Sequence, residues 1–336
     1  MRFRLWGAAM VVVGIVALMI TPVAAAPAHS APAPRVTSFY LSSTGFTPVP
    51  TLGGITGIDR KPDGEYIMIA SAGLGRYFDA RIPFFSSTGA FGRATVSLAG
   101  RPILGPGFMP MMPGAAQFEG VRSRGNGFVV ASGGAHQFVR LLGPFGNQVR
   151  DLPLPQAYRK AKNTGLDPRR GLIGVAVAPG SGMISTLTAG GLKQDPAHSA
   201  RLLIWPGRGT TEFVYRTDGD KLAADVVAVN KTDYLVLERG KGRATRIFWT
   251  TTRGAQSVTG KARLSGREVA MPKVPIFSTA PLPGLRAGNM SGLGWGNWLP
   301  DRPWLKYRAR VLFVVTNDGL GVPPRVHALE VRFPKR

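Results

Sequence analysis

The chain has 336 residues, 44% hydrophobic, with 44 Gly and 28 Pro, which allows a sizeable core and suits many short strands joined by turns. It contains no cysteine, which excludes disulfides, thiolate nucleophiles, Cys-ligated zinc and a lipid-bearing cysteine. With 42 Lys+Arg against 18 Asp+Glu the net charge is +24, a field that draws polyanions from a distance.

The first residues read as an export signal. Arg2 and Arg4 precede an apolar run from Leu5 to Ile20, and small residues at Val23-Ala24-Ala25 or Ala26-Pro27-Ala28 offer cleavage points. The boundaries expected are a signal peptide over 1–25, a disordered Ala/Pro leader over 26–37 and one domain over 38–336. A retained membrane anchor is the alternative, because the apolar run approaches spanning length. No later stretch is as apolar, so no membrane span is expected after cleavage, and the expected compartment is periplasmic or extracellular. An exported chain seldom meets nucleic acid. The expected partners of its positive charge are therefore anionic envelope polymers, lipid headgroups or phosphorylated small molecules.

A short pattern then recurs: small or apolar residues around a glycine, a turn, and an apolar strand ending in a small polar residue. It runs from Gly53-Gly54-Ile55 to Ala70-Ser71, from Phe118-Glu119-Gly120-Val121 to Ala131-Ser132, and from Ile173-Gly174-Val175 to Ser185-Thr186. It returns without the glycine from Val226-Val227-Ala228 to Leu237-Glu238, and finally from Ser291-Gly292-Leu293 to Val315-Thr316. Anchored on Gly54, Gly120, Gly174, Ala228 and Gly292, the spacings are 66, 54, 54 and 64 residues. Strand repeats of this size predict an all-β propeller of six blades, with five or seven left open. Spacing beyond the usual blade length predicts either long loops, such as Gly100–Gly114, or a degenerate blade between the marked ones. Val326–Val331 is placed to close the ring with the N-terminal strand. The one helical signal is Gln156–Lys162, stopped by Gly165 and Pro168.

Four places resemble the esterase-like phytase family, a secreted β-propeller group. They are Gly54-Ile55…Ile69-Ala70-Ser71…Asp79-Ala80-Arg81, Glu119-Gly120-Val121, Leu237-Glu238-Arg239, and Asn289-Met290-Ser291-Gly292-Leu293 with Val314-Val315-Thr316-Asn317-Asp318. The resemblance implies a hydrolase acting on a phosphoester or carboxylic ester at the channel mouth. It implies Glu119, Glu238 and Asp318 as the catalytic, water-handling or calcium-holding carboxylates, and Arg81, Arg239, Arg76 and Asn317 as substrate-binding groups. Several of the family's acidic positions carry other residues here: Ala72, Ile173 before Gly174, Ser291 before Gly292, and Asn317. Calcium wants six or more oxygen ligands, several of them carboxylates. The lost acids therefore keep open the alternative of a non-catalytic propeller that binds an anionic envelope or extracellular partner.

Other chemistries find little support. No Gly-x-Ser-x-Gly elbow, His-Glu-x-x-His pair or phosphate-cradling Gly-x4-Gly-Lys-Ser/Thr loop occurs. His136 follows a predicted strand end and reads as a solvated loop residue. Asp218-Gly219-Asp220 reads as a turn. Trp295, Trp298 and Trp304 cluster near the last repeat, where they pack between blades or offer a stacking platform.

Overall fold

A computed structural model describes residues 36–71, 75–112, 114–240, 244–280, 282, 289–319 and 321–335. The expected signal peptide, residues 26–35 of the expected leader and Ala72 lie outside these, whereas Val36 is buried and Thr37 already begins a strand. Regular structure is almost entirely strand: five blades, each an antiparallel four-stranded sheet or an extension of one. Blade I holds β2 (Ile55–Arg60), β3 (Tyr66–Ala70) and β4 (Arg76–Arg81), followed by a small separate hairpin of β5 (Phe84–Phe85) and β6 (Ala90–Phe91) and by short outer strands β7 (Thr95–Val96) and β8 (Arg101–Pro102), both on β4. Blade II holds β9 (Phe118–Arg124) to β12 (Gln148–Asp151), and blade III β13 (Leu172–Val177) to β16 (Thr211–Arg216). Blade IV holds β17 (Leu222–Ala228), β18 (Asp233–Arg239), β19 (Thr245–Thr251) and β20 (Lys273–Ser278). Blade V is built from both ends of the chain. β21 (Met290–Trp298), β22 (Tyr307–Thr316) and β23 (Arg325–Pro334) are completed by β1 (Thr37–Gly45), antiparallel to β23 with Tyr40 opposite Leu329.

The count is thus five, one of the numbers held open beside the preferred six. Among the described residues no degenerate blade hides between the repeats; long connections account for the spacing. The stretch between β19 and β20 folds back onto blade III, where Val258 and Leu264 pack on Val214. The helix expected over Gln156–Lys162 is a single 3-10 turn, Gln156–Tyr158.

Alternation along the strands explains why the blades stack. Successive side chains leave a strand on opposite faces. In β3, Ile67 and Ile69 join a core between blades I and II, while Met68 and Ala70 join one between blades I and V. Both faces are covered, so the strand reads as a continuous apolar run. Each fully buried aliphatic or aromatic side chain contributes about 1.5–3 kcal/mol. The other three blade interfaces each carry a core of their own.

The inner strands β2, β9, β13, β17 and β21 each touch the next around the axis. Each carries a β-bulge near its start, at Thr56, Glu119, Ile173, Ala224 and Ser291. The residue after each bulge is Gly57, Gly120, Gly174, Asp225 or Gly292. At these points the backbones nearly touch. A Cβ on Gly120 would lie 2.8 Å from the Gly174 Cα, and one on Gly57 3.0 Å from the Gly120 Cα. Only glycine permits that approach. The true repeat anchors are therefore Gly57 and Asp225 rather than Gly54 and Ala228.

Candidate functional site

Two levels stack on the axis at the end where the inner strands begin. The upper level is the ring of bulged residues, a position where bulges commonly re-aim side chains. Thr56 donates to the Phe118 carbonyl at 2.8 Å, and Ser291 to the Ile55 carbonyl at 2.8 Å, so these two hydroxyls tie neighbouring blades together. Ile173 and Ala224 are apolar. Glu119 is the only ionisable member of the ring.

Asp225 occupies the lower level in place of the fourth blade's glycine. Its carboxylate accepts from the Val226 amide at 2.7 Å, the Leu293 amide at 2.7 Å and Arg122 Nη2 at 3.1 Å. Arg122, 2% exposed, also donates to the carbonyls of Ile58, Val121 and Val226 at 3.2, 2.7 and 2.6 Å. This ion pair closes the axis. Burial pushes the Asp225 carboxyl up to about 6 despite the arginine.

Above this plug, half-buried Glu119 accepts a hydrogen bond from Gln117 Nε2. Gly133 lets it lie against the backbone: a Cβ there would be 3.0 Å from Glu119 Cγ. Burial raises the Glu119 carboxyl to about 7, with Asp225 below adding to the rise and Gln117 and Arg239 opposing it. Arg239 ends β18 at the same mouth. Its Nη1 donates to Asn289 Oδ1 at 2.6 Å, and the Asn289 amide donates to Asp318 Oδ1 at 3.2 Å. Asp318 also accepts from Thr316 Oγ1 at 2.7 Å. Burial lowers the Arg239 pKa, and the Glu119 carboxylate partly restores it. Among the described residues no carboxylate lies within 4.0 Å of its guanidinium nitrogens.

The other expected site residues are dispersed. Glu238 is fully buried and faces blade III, accepting from Tyr215 OH of that blade at 2.6 Å, from Lys273 Nζ of its own blade at 2.8 Å and from the Asp218 amide of the connection between them at 3.0 Å. Its neighbour Arg239 leaves the strand on the opposite face, toward blade V. Arg76 begins β4 at the mouth end. Arg81, at the far end of that strand, pairs with Glu65 at 2.6 Å on the opposite side of the disc. Asn317 is at the mouth, its amide donating to the Asn289 carbonyl at 2.8 Å, but its side chain accepts from the Gly319 amide at 3.3 Å within its own turn. The structure thus brings Glu119, Arg239, Asn289 and Asp318 to one mouth and leaves Glu238 and Arg81 elsewhere.

That distribution does not fit the implied calcium site. Among the described residues no group of three acidic or histidine side chains could hold a metal ion. Glu238 is spoken for by Lys273, and Asp318 by Thr316 and Asn289. Of the histidines, His136 and His198 are exposed. Burial drives the His327 ring down to about 4, leaving it neutral. No described helix is long and apolar enough to cross a membrane.

A family model described as phytase-like, esterase-like activity of phytase, matches residues 50–316. The chain belongs to this phytase-like family. No curated protein matches it. Among solved structures, the phytase-like chain is similar to a Thermus thermophilus protein described as an oxidoreductase (glucose dehydrogenase), at 14% identity and TM-score 0.37, covering 88% of this chain and 99% of that one. It is also similar to a Trichoderma reesei carbohydrate-active enzyme of family AA12, at 10% identity and TM-score 0.37, covering 87% and 96%. A third is YCF48 from Cyanidioschyzon merolae, at 10% identity and TM-score 0.32, covering 89% and 98%. At such TM-scores these likenesses carry no chemical inference.

Proposed function

We propose that this phytase-like propeller is an anion-binding protein whose mouth holds a small carboxylate or phosphate, free or at the end of an envelope polymer. Arg239 is the holding cation. Asn289, itself fixed by Asp318, orients it, and Glu119 sets the charge beside it. The observation that carries this reading is an arginine at the channel mouth, half-withdrawn from water, with no carboxylate in ion-pair reach. A planar guanidinium is suited to a bidentate oxyanion. The positive leader residues and apolar run support an exported protein, with the mature N-terminus of secreted material as the check.

Ester hydrolysis at the same mouth is the second reading, favoured by one observation: the Glu119 carboxyl titrates near neutrality, where a general base works best. Glu119 would take a proton from water as the water oxygen bonds to the acyl carbon or phosphorus. Arg239 would balance the developing negative oxygen, and the proton would pass to the departing alkoxide. This route needs no metal.

The deciding experiment is calorimetric titration with acetate, methanesulfonate and inorganic phosphate, alongside a screen of carboxylic and phosphate monoesters with and without calcium. Binding lost in Arg239→Gln without turnover supports the first reading. Metal-independent turnover lost in Glu119→Gln supports the second. Turnover that requires calcium overturns both.

A further inference from the structure

At the end of the disc opposite the mouth, a cleft of about 810 Å³ opens between blades IV and V. We propose that it binds an anionic saccharide: a sugar ring bearing a carboxylate or a phosphate. The volume falls within the range of small-molecule sites. Its aromatic walls are Trp249, Phe333 and Trp298, and Trp298 is 46% exposed. The Arg308 guanidinium carbon lies 4.7 Å from the centre of the Trp298 ring. A guanidinium stacked in this way spends its face on the indole and keeps its in-plane N–H donors for an oxyanion. Among the described residues those donors have no hydrogen-bond or ion-pair partner. Across the cleft, Arg253 has only Thr232 Oγ1, at 3.1 Å from its Nε.

Of the two acids of the cleft, Asp233 is hydrogen-bonded by neutral donors and Asp301 is ion-paired. Asp233 accepts from Thr251 Oγ1 at 2.6 Å, Asn230 Nδ2 at 2.8 Å and Thr232 Oγ1 at 3.1 Å. Asp301 is paired with Lys335 at 2.7 Å. The three cations Arg253, Arg308 and Lys335 stand against the two acids Asp233 and Asp301, so the cleft keeps a net positive charge beside an exposed indole, which matches a ligand with an apolar ring face and a negative group. The Arg310 guanidinium carbon lies 5.4 Å from the centre of the same indole and reinforces the positive field. A neutral sugar would leave both arginines unanswered, and a bare inorganic anion would leave the indole exposed.

The test is calorimetry and tryptophan fluorescence on the full chain with glucuronate, glucose 6-phosphate, glucose and inorganic phosphate. Both charged sugars, or one of them, should bind at least tenfold tighter than glucose and than phosphate; which of the two binds distinguishes a carboxylate from a phosphate source. Arg308→Gln and Arg253→Gln, both at exposed side chains, should each weaken that binding at least tenfold. Arg239→Gln, at the mouth, should leave it unchanged, which separates this site from the first. Glucose binding as tightly as glucuronate, phosphate binding as tightly as glucose 6-phosphate, or affinities unmoved by the Arg253 and Arg308 variants would overturn the proposal. So would sedimentation with phosphatidylglycerol vesicles in the absence of any sugar-acid binding, which would make this face, with Trp304 76% exposed nearby, a lipid-docking surface.

Discussion

Arg122 of blade II and Asp225 of blade IV meet on the axis, 3.1 Å apart and 103 residues apart in sequence. Between them they bond or touch every blade. Arg122 reaches carbonyls of blades I, II and IV, and Asp225 takes an amide of blade V and packs against Gly174 of blade III. Truncating one partner of a buried ion pair costs about 3–5 kcal/mol, because the other charge remains. Arg122→Met should therefore lose about that much in denaturant unfolding at pH 8. Its penalty should shrink toward pH 5, where the orphaned Asp225 takes up a proton. Arg122→Met with Asp225→Gly, which restores the ring glycine, should recover much of the loss.

The same carboxyl gives the wild type a pH slope. Its folded value near 6 lies above the ordinary 3.8, so the folded state binds this proton more tightly than the unfolded chain does. Stability from this group is full below about pH 4, declines as pH rises through 6, and by linkage amounts to about 3 kcal/mol. Unfolding free energies of the wild type measured from pH 4 to 8 should fall by at least this share, and Asp225→Asn should remove it, leaving the slope of the same sign that Glu119 supplies.

Glu119 should make anion binding at the mouth sensitive to pH. Below about 7 it is neutral and Arg239 stands alone; above 7 its carboxylate competes with the ligand for that arginine. Methanesulfonate, which does not titrate in this range, should bind about fivefold to tenfold more weakly at pH 8.5 than at pH 5.5. Glu119→Gln should hold the tighter affinity at both.

Glu238 should behave as a structural residue. Glu238→Gln removes the charge that Lys273 answers inside the wall between blades III and IV. Unfolding measurements should show a loss of about 1–3 kcal/mol. Anion affinity at the mouth should not change.

Gly120→Ala should damage the ring more than its size suggests. The new Cβ would meet backbone on blade III, the Gly174 Cα at 2.8 Å and the Val175 amide nitrogen at 3.1 Å. Neither can swing aside, so a loss of about 3 kcal/mol is expected in thermal or denaturant melts. Gly125→Ala, with open space around it but a φ of +59°, should lose only about 1 kcal/mol.

The recurrent strands and the closing partner for the N-terminus were legible because alternation and apolar runs are local signals. Blade number was not, since a 252–272 excursion that packs on blade III looks in sequence like room for another blade. The glycine pattern slipped by three residues in blade I, where Gly54-Ile55 and Gly57-Ile58 present the same pair of residues. In blade IV a search for glycine could not see Asp225 standing in its place. Arg122 carried no signal at all, because its partner arrives only through the closure of the ring. The separation of Glu238 from Arg239 was readable in principle, since adjacent strand residues leave on opposite faces. So was that of Arg76 from Arg81, which stand at the two ends of one six-residue strand.

Blade V joins Thr37–Gly45 to Arg325–Pro334. The circle therefore stays an open arc until Arg325–Pro334 is made, and a polypeptide emerging from the ribosome would wait with four petals assembled and one seam unlatched. The first and last described strands also leave Thr37 beside Arg332. A short tether between them, with a new start cut at the Gly125-Asn126 turn, would keep every petal's neighbours unchanged.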